Sequence, residues 1–238
     1  MVRPGGEVVE AAGTGVTAQT DAADAVGVCH LTDEHPVIFI IDDDPSMRAT
    51  LADVMRSIGL AVQTFASAQD FLGSKLPDAP ACLVLDVHLP GQSGLDLHRT
   101  LAESGVELPV VFISGHGDVQ ISVQAMKAGA VDFLAKPFRD QDLLDAVHEG
   151  IERDRARRGR AVKAAELHER FRSLSERERD IMAFVVLGHP SKQIAAKLGL
   201  AEVTVKAHRR QIMHKMRARS LPELVRMAAR LRGASDRH

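Results

Sequence analysis

Three consecutive aspartates, Asp42, Asp43 and Asp44, follow one short apolar run of this chain, and a fourth, Asp86, follows another. Carboxylates crowded together repel and push one another's pKa up, and a hard, oxygen-seeking cation such as Mg2+ resolves the conflict. Ser114 closes a further apolar run and is followed by Gly115-His116-Gly117, which adds flexible backbone to its hydroxyl, while Lys136 precedes Pro137 and supplies an ammonium. A hydroxyl and an ammonium beside a carboxylate and a divalent cation bind the oxygens of a phosphoryl group from several sides, so the set predicts a phosphoryl-acceptor site. The plainer reading, aspartates as helix N-caps, accounts for Asp44 ahead of Pro45 and leaves Asp86 unexplained.

A second constellation is basic. Counted at about 100° per residue, Val205, His208, Ile212 and Met216 share one side of a helix and predict its core face. Lys206, Arg209, Arg210, Met213 and Arg217 cluster on the neighbouring face, with cations three and four residues apart. Such a face fits a major groove with its flanking phosphates; the bland alternative is a solvated basic surface.

The elements that must position these groups are legible from periodicity. The runs VIFII (37–41), CLVL (82–85) and VVFI (110–113) lack alternation and predict strands buried on both faces. The full count gives strands near 37–41, 61–65, 82–85, 110–113 and 131–134, and helices near 45–57, 67–73, 94–103, 118–128 and 140–153. Five β-then-α alternations predict an α/β unit with a five-stranded parallel sheet covered by helices on both faces, a (βα)5 flavodoxin-like arrangement whose ligand site lies beyond the carboxyl ends of the strands. Asp42, Asp43 and Asp86 then converge on one edge. Residues 153–170 predict an extension of the last helix, Gly159 and a linker helix. From 171 onward only short helical periods occur, with capping boxes opening at Ser175 and Ser220, so the second unit is a small all-α helix-turn-helix domain. Residues 1–34, rich in Ala, Gly, Thr and Asp, predict a disordered leader.

Composition bounds the function. The chain has 238 residues, 45% hydrophobic and 26% charged, and no apolar stretch long enough to span a bilayer, which excludes a membrane-spanning helical protein. Two cysteines, Cys29 and Cys82, without CxxC spacing exclude a disulfide scaffold or a cysteine zinc site, and a reducing cytoplasm is the expected location. Residues 35–150 carry sixteen acids against seven Lys and Arg, whereas 151–238 carry twenty-two Lys and Arg against ten acids. An acidic half joined to a basic half predicts a cation at the first and a polyanion at the second. Aromatics are 3% with no Trp or Tyr, so base-stacking platforms for RNA are scarce.

The segments IIDDDPSMR (40–48), LVLDVHLPGQSGLDL (83–97), ISGHGD (113–118) and AGAVDFLAKPF (128–138) closely resemble the receiver domain of two-component response regulators, and the likeness runs from about 36 to 152. The resemblance implies that Asp86 takes a phosphoryl group from a sensor histidine kinase. It implies Mg2+ held by Asp43, Asp86 and the backbone carbonyl of His88, with Asp42 supporting it through water. Ser114 and Phe133 would be switch residues and Lys136 would pair with the phosphate, with a cis peptide before Pro137. Phe133 replaces the tyrosine many receivers use, so the switch must work through packing. LSERERDIMAFVVLGHPSKQIAAKLGLAEVTVKAHRRQIMHKM (174–216) resembles the LuxR-type DNA-binding domain of FixJ/NarL response regulators. That likeness implies Lys206, Ala207 and Arg210 at base edges and Thr204, His208, Arg209 and Lys215 at the DNA backbone. Ala201 departs from the hydroxyl residue common at the start of this helix, which moves capping to Thr204 or leaves the first turn looser.

The whole reading is a phosphorylation-dependent transcription regulator with domains 1–34, 35–152, 153–170 and 171–238. Its implied partners are a sensor kinase and double-stranded promoter DNA, with a homodimer on phosphorylation and RNA polymerase as a further candidate. A haloacid-dehalogenase-type phosphatase would need an acid two residues after its nucleophile, where this chain has His88, so self-dephosphorylation is the only catalysis expected.

Overall fold

The computed structural model describes residues 35–115 and 119–235. The leader expected over residues 1–34 and the residues His116, Gly117 and Asp118 lie outside the described residues. The first unit alternates β1 (Val37–Ile41), α1 (Pro45–Ser57), β2 (Ala61–Phe65), α2 (Ala68–Leu72), β3 (Ala81–Asp86), α3 (Gly94–Glu103), β4 (Val110–Ser114), α4 (Val119–Lys127), β5 (Asp132–Ala135) and α5 (Asp140–Arg172). All five strands are parallel, in the order β2-β1-β3-β4-β5. The parallel α/β sheet is the one the apolar runs predict. β5 starts at Asp132 rather than 131, although Val131 N–H already bonds to Val110 O at the edge of β4.

Alternation along the central strands divides the core between two faces. Ile38, Ile40, Cys82, Val84, Val111 and Ile113 point to the side covered by α1 and α5, where Leu51, Met55, Leu143, Val147 and Ile151 are buried. Phe39, Ile41, Leu83, Leu85, Val110 and Phe112 point to the side of α2, α3 and α4, packed against Phe71, Leu97, Leu101 and Ala125. Strand order reverses between β1 and β3, so their ends form the crevice where ligands of such sheets bind.

Helix α5 departs from the expectation of an interruption at Gly159. It is one helix of 33 residues, about 50 Å long at 1.5 Å per residue. Its midsection is fastened to the first unit by Asp154, which is 1% exposed. The carboxylate accepts the N–H of Ala81 at 3.0 Å and the Nε–H groups of Arg157 at 2.8 Å and Arg158 at 3.0 Å, and Arg158 also donates to Pro77 O and pairs with Asp78. Gly150 lies against Cys82, where a Cβ would stand 2.4 Å from Sγ, so the close approach of helix to strand requires glycine. Residues 159–166 are exposed, and the helix then buries Leu167 in the second unit. Gly159 costs about 1 kcal/mol against alanine; the helix continues through it, with pairs such as Glu152–Arg155 before it and Glu166–Arg170 after it.

The second unit consists of α6 (Glu176–Val186), α7 (Ser191–Leu198), α8 (Glu202–Met216) and α9 (Leu221–Ser235). Ser175 and Glu178 form the complete capping box expected at α6. At Ser220 only half the box is of that kind: Ser220 Oγ accepts from Glu223 N–H at 3.4 Å, while Glu223 reaches back to Arg219 N–H at 2.8 Å. Gly199 in the left-handed region, φ 66°, ends α7 and turns the chain into α8. Ile181, Val185, Ile194, Val205, Ile212, Met216 and Leu224 form the core.

Candidate functional site

The acidic groups gather where the strand order reverses. Asp42 follows β1 and is fully buried, Asp43 is exposed, and Asp86 ends β3 at 6% exposure. Their carboxylate oxygens lie within 4.8 Å of one another, an acidic set that accommodates a divalent cation. Asp44 is the N-cap of α1, its Oδ1 accepting Ser46 N–H at 2.8 Å, as Pro45 at N1 requires.

Lys136 closes the pocket from the end of β5. Its Nζ donates to Asp42 Oδ2 at 2.8 Å and Asp86 Oδ2 at 2.7 Å, linking residues 94 and 50 positions away in sequence. Burial is the largest influence on Asp42 and pushes its carboxyl up, against the pull of Lys136 and the Asp44 amide. Burial works to lower the Lys136 ammonium, yet the bonds to Asp42 and Asp86 outweigh it and hold the group above its usual range. The ammonium therefore stays charged between the two carboxylates. The Lys136–Pro137 peptide is cis.

His88 N–H donates to Asp86 Oδ1 at 2.8 Å, and its Nδ1 lies 3.5 Å from the Oγ of Ser114, which is buried. Phe133, beside Phe112 across the β4–β5 ladder, is half-buried with the α2–α4 core. Two contributors carried no signal in the residue pattern. The Arg48 guanidinium donates to the carbonyls of Asp42 and Asp43, bracing the acidic turn. Gly94, the first residue of α3, faces the strand end so closely that a Cβ would stand 2.3 Å from Asp86 O.

The basic constellation sits on α8 except for Arg217, which follows the helix as its left-handed C-cap, φ 53°, and so leaves the predicted face. Val205, Ile212 and Met216 are buried and His208 half-buried, as their common face predicts. Lys206, Ala207 and Arg210 are exposed; Thr204 and Arg209 are half-buried, and Arg209 Nη1 donates to Ser191 Oγ at 3.3 Å. Ala201 is the N-cap and makes no side-chain cap bond, so Thr204 does not take over capping; its own N–H bonds Ala201 O at 3.0 Å. Lys215 differs from its neighbours. Its ammonium pairs with the buried Glu178 at 2.6 Å and reaches Ser173 O at 3.3 Å, tying α8 to the capping box of α6. Burial raises the Glu178 carboxyl, but the Lys215 and Ser175 hydrogen bonds outweigh it and the net position is below the ordinary carboxylate range.

Residues 38–148 match the response regulator receiver domain and residues 172–228 match the bacterial regulatory proteins of the luxR family. The chain is 52% identical to nodulation protein W of Bradyrhizobium diazoefficiens, over 85% of this chain and 88% of that protein. It is 45% identical to the response regulator protein TodT of Pseudomonas putida, covering 88% and 92%. The solved structure of the response regulator StyR superposes with a TM-score of 0.74 at 44% identity, covering 82% of this chain and 98% of that one. With the acidic pocket at the strand ends and the cationic helix both in place, the chain belongs to the two-component response regulators that join a receiver domain to a LuxR-type helix-turn-helix domain, and it is a DNA-binding transcriptional regulator of that kind.

Proposed function

We propose that Asp86 is the phosphoryl acceptor and that its phosphorylation by a sensor histidine kinase controls promoter binding by α8. One observation carries this reading: Asp86 stands at the end of β3, opposite Asp42 and Asp43, with the Lys136 ammonium 2.7 Å from its Oδ2. In the transfer, Asp86 forms a P–O bond as the P–N bond of the kinase phosphohistidine breaks, and the imidazole, already protonated at its other ring nitrogen, leaves as the neutral base. Lys136 pairs with a phosphoryl oxygen in the product, and Ser114 donates its hydroxyl to another. Asp43, Asp86 and the His88 carbonyl are the groups we assign to Mg2+, with Asp42 acting through water; the bound ion would neutralise charge developing on the phosphoryl oxygens. Water later hydrolyses the acyl phosphate, which is the only catalysis assigned to this chain.

The reading extends to domains at 35–152 and 171–238 joined by a helical linker at 153–170, to a cytoplasmic location and to RNA polymerase as a partner. No helix among the described residues is long and apolar enough to cross a membrane. Lys206, Ala207 and Arg210 are assigned to base edges, and Thr204, His208 and Arg209 to phosphates. One short helix-turn-helix reads few base pairs, so two copies on half-sites about 10 base pairs apart give the specificity a promoter requires. Phosphorylation adds negative charge, draws Ser114 and Lys136 inward, and through Phe133 reshapes the α4–β5 surface that we assign to the dimer. Mass measurement after incubation with acetyl phosphate and Mg2+ tests the acceptor. The wild type should gain one phosphoryl group and Asp86→Asn none; uptake by the mutant at another side chain would overturn the assignment.

A further inference from the structure

The DNA-reading helix begins with an acid. Glu202 is the first residue of α8, and its Oε1 pairs with Lys206 Nζ at 2.8 Å, one turn on. Both groups remain in solvent, the lysine side chain 65% and the glutamate 45% exposed, so the pair contributes little to folding. The Lys206 hydrogen bond and charge, with a smaller pull from Lys192 of α7, hold the Glu202 carboxyl below its ordinary range, and the group is a carboxylate throughout neutral pH. On a surface that must approach phosphates, this placement works against general affinity: every phosphate repels Glu202, and Glu202 occupies a cation that would otherwise bind one.

A carboxylate only accepts hydrogen bonds. In the major groove the donors are the amino groups of the bases, and a glutamate pairs with cytosine N4, whereas a lysine donates to guanine O6 and N7. Four residues of helix advance about 6 Å, so Glu202 and Lys206 together span about two base steps. We infer that Glu202 is a specificity-determining residue, whose carboxylate accepts from a cytosine amino group in each half-site and penalises sites that present only acceptors there. On a matching site Lys206 is released to a guanine or held against one by Glu202; on other sequences the ion pair stays closed and subtracts a phosphate contact. The inference rests on α8 entering the major groove. A simpler role for Glu202 is as an acid near the positive end of a helix whose cap, Ala201, offers no side chain. That role affects all DNA sequences alike.

The two roles separate in a selection experiment with the full chain, phosphorylated by acetyl phosphate, on duplexes randomised over about 30 base pairs, enough for two half-sites. Wild type, Glu202→Gln and Arg210→Ala are compared. Wild type should enrich a motif with a fixed cytosine in each half-site, and Glu202→Gln, whose amide adds a donor that pairs with bases presenting acceptors, should lose that preference about tenfold while keeping the other positions. Against an unrelated duplex Glu202→Gln should bind more tightly, with a salt slope steeper by about 0.9 for each bound protomer as its Lys206 gains a phosphate. An unchanged motif in Glu202→Gln overturns the inference, including where the mutant is merely less stable. If wild type selects no motif, or Arg210→Ala selects the same one as wild type, the groove assignment of α8 has failed and the inference with it.

Discussion

Replacing Asp154 by alanine should loosen α5 from the receiver domain and lower that domain's stability by about 3 kcal/mol. The Ala81 N–H, at the start of β3 in a residue 5% exposed, would lose its acceptor, and an orphaned buried amide costs about 1–3 kcal/mol. The two guanidiniums contribute less. Their side chains are 35% exposed at Arg157 and 27% at Arg158, so water replaces much of what they lose, and Arg158 keeps Asp78 and Pro77 O; together they add about 1 kcal/mol. Asp154→Asn keeps an oxygen for Ala81 and gives up only charge, so its loss should be about 1 kcal/mol. At about 4 °C per kcal/mol for a domain of this size, the expected drops in Tm are about 12 °C for alanine and about 4 °C for asparagine. With no Trp or Tyr to report unfolding by fluorescence, scanning calorimetry of the full chain is the assay. Phosphoryl uptake at low temperature should be unchanged, because Ala81 and Asp86 are opposite ends of one strand. An alanine mutant within 1 kcal/mol of wild type, or an asparagine mutant as damaged as the alanine one, would refute this account of how the helix is held.

Asp43→Ala should weaken Mg2+ binding severely in a calorimetric titration, since water replaces a charged oxygen ligand poorly, while Asp44→Ala, which removes a helix cap, should cost about 1 kcal/mol of stability and little affinity. Gly94→Ala should sharply reduce phosphoryl uptake from acetyl phosphate without altering any charged group, because its Cβ would stand 2.3 Å from Asp86 O and displace the strand end. Lys215→Met should lower the stability of the C-terminal unit by about 1.5 kcal/mol and leave the salt slope of DNA binding unchanged, since its ammonium is committed to Glu178. Because the Glu178 carboxyl is depressed in the folded protein, its contribution is complete above its unfolded value near 4.5 and is lost as pH falls through the lower folded value; acid unfolding of Lys215→Met should show a smaller loss over that window.

The pocket was legible in the sequence because chain order constrains it. Once 37–41 and 82–85 read as parallel strands, Asp42, Asp43 and Asp86 had to share an edge, and the 94-residue separation of Lys136 from Asp42 was no obstacle. Periodicity likewise placed Val205, Ile212 and Met216 in the core. It could not assign Lys215, because a helix-face count shows where a cation points and not whether a buried glutamate from another helix waits there. Gly159 points the wrong way for a related reason: local preference favours a break, whereas α5 runs on through it, held five residues earlier by Asp154, whose partner Ala81 lies 73 positions back in sequence. Arg48 and Gly94 escaped notice because their contribution is contact with main-chain oxygens, which residue types do not encode.

An unbroken α5 gives the connection between the two domains a phase as well as a length. Each residue added within 159–166 would turn everything after it by about 100° about the helix axis and advance it about 1.5 Å. Two or five added residues would leave the downstream part about 160° or 140° out of phase, whereas seven or eleven would return it to within about 20°. Regulation in a series of such insertions should therefore rise and fall with the number of residues added, where a pliant tether would give a smooth decline.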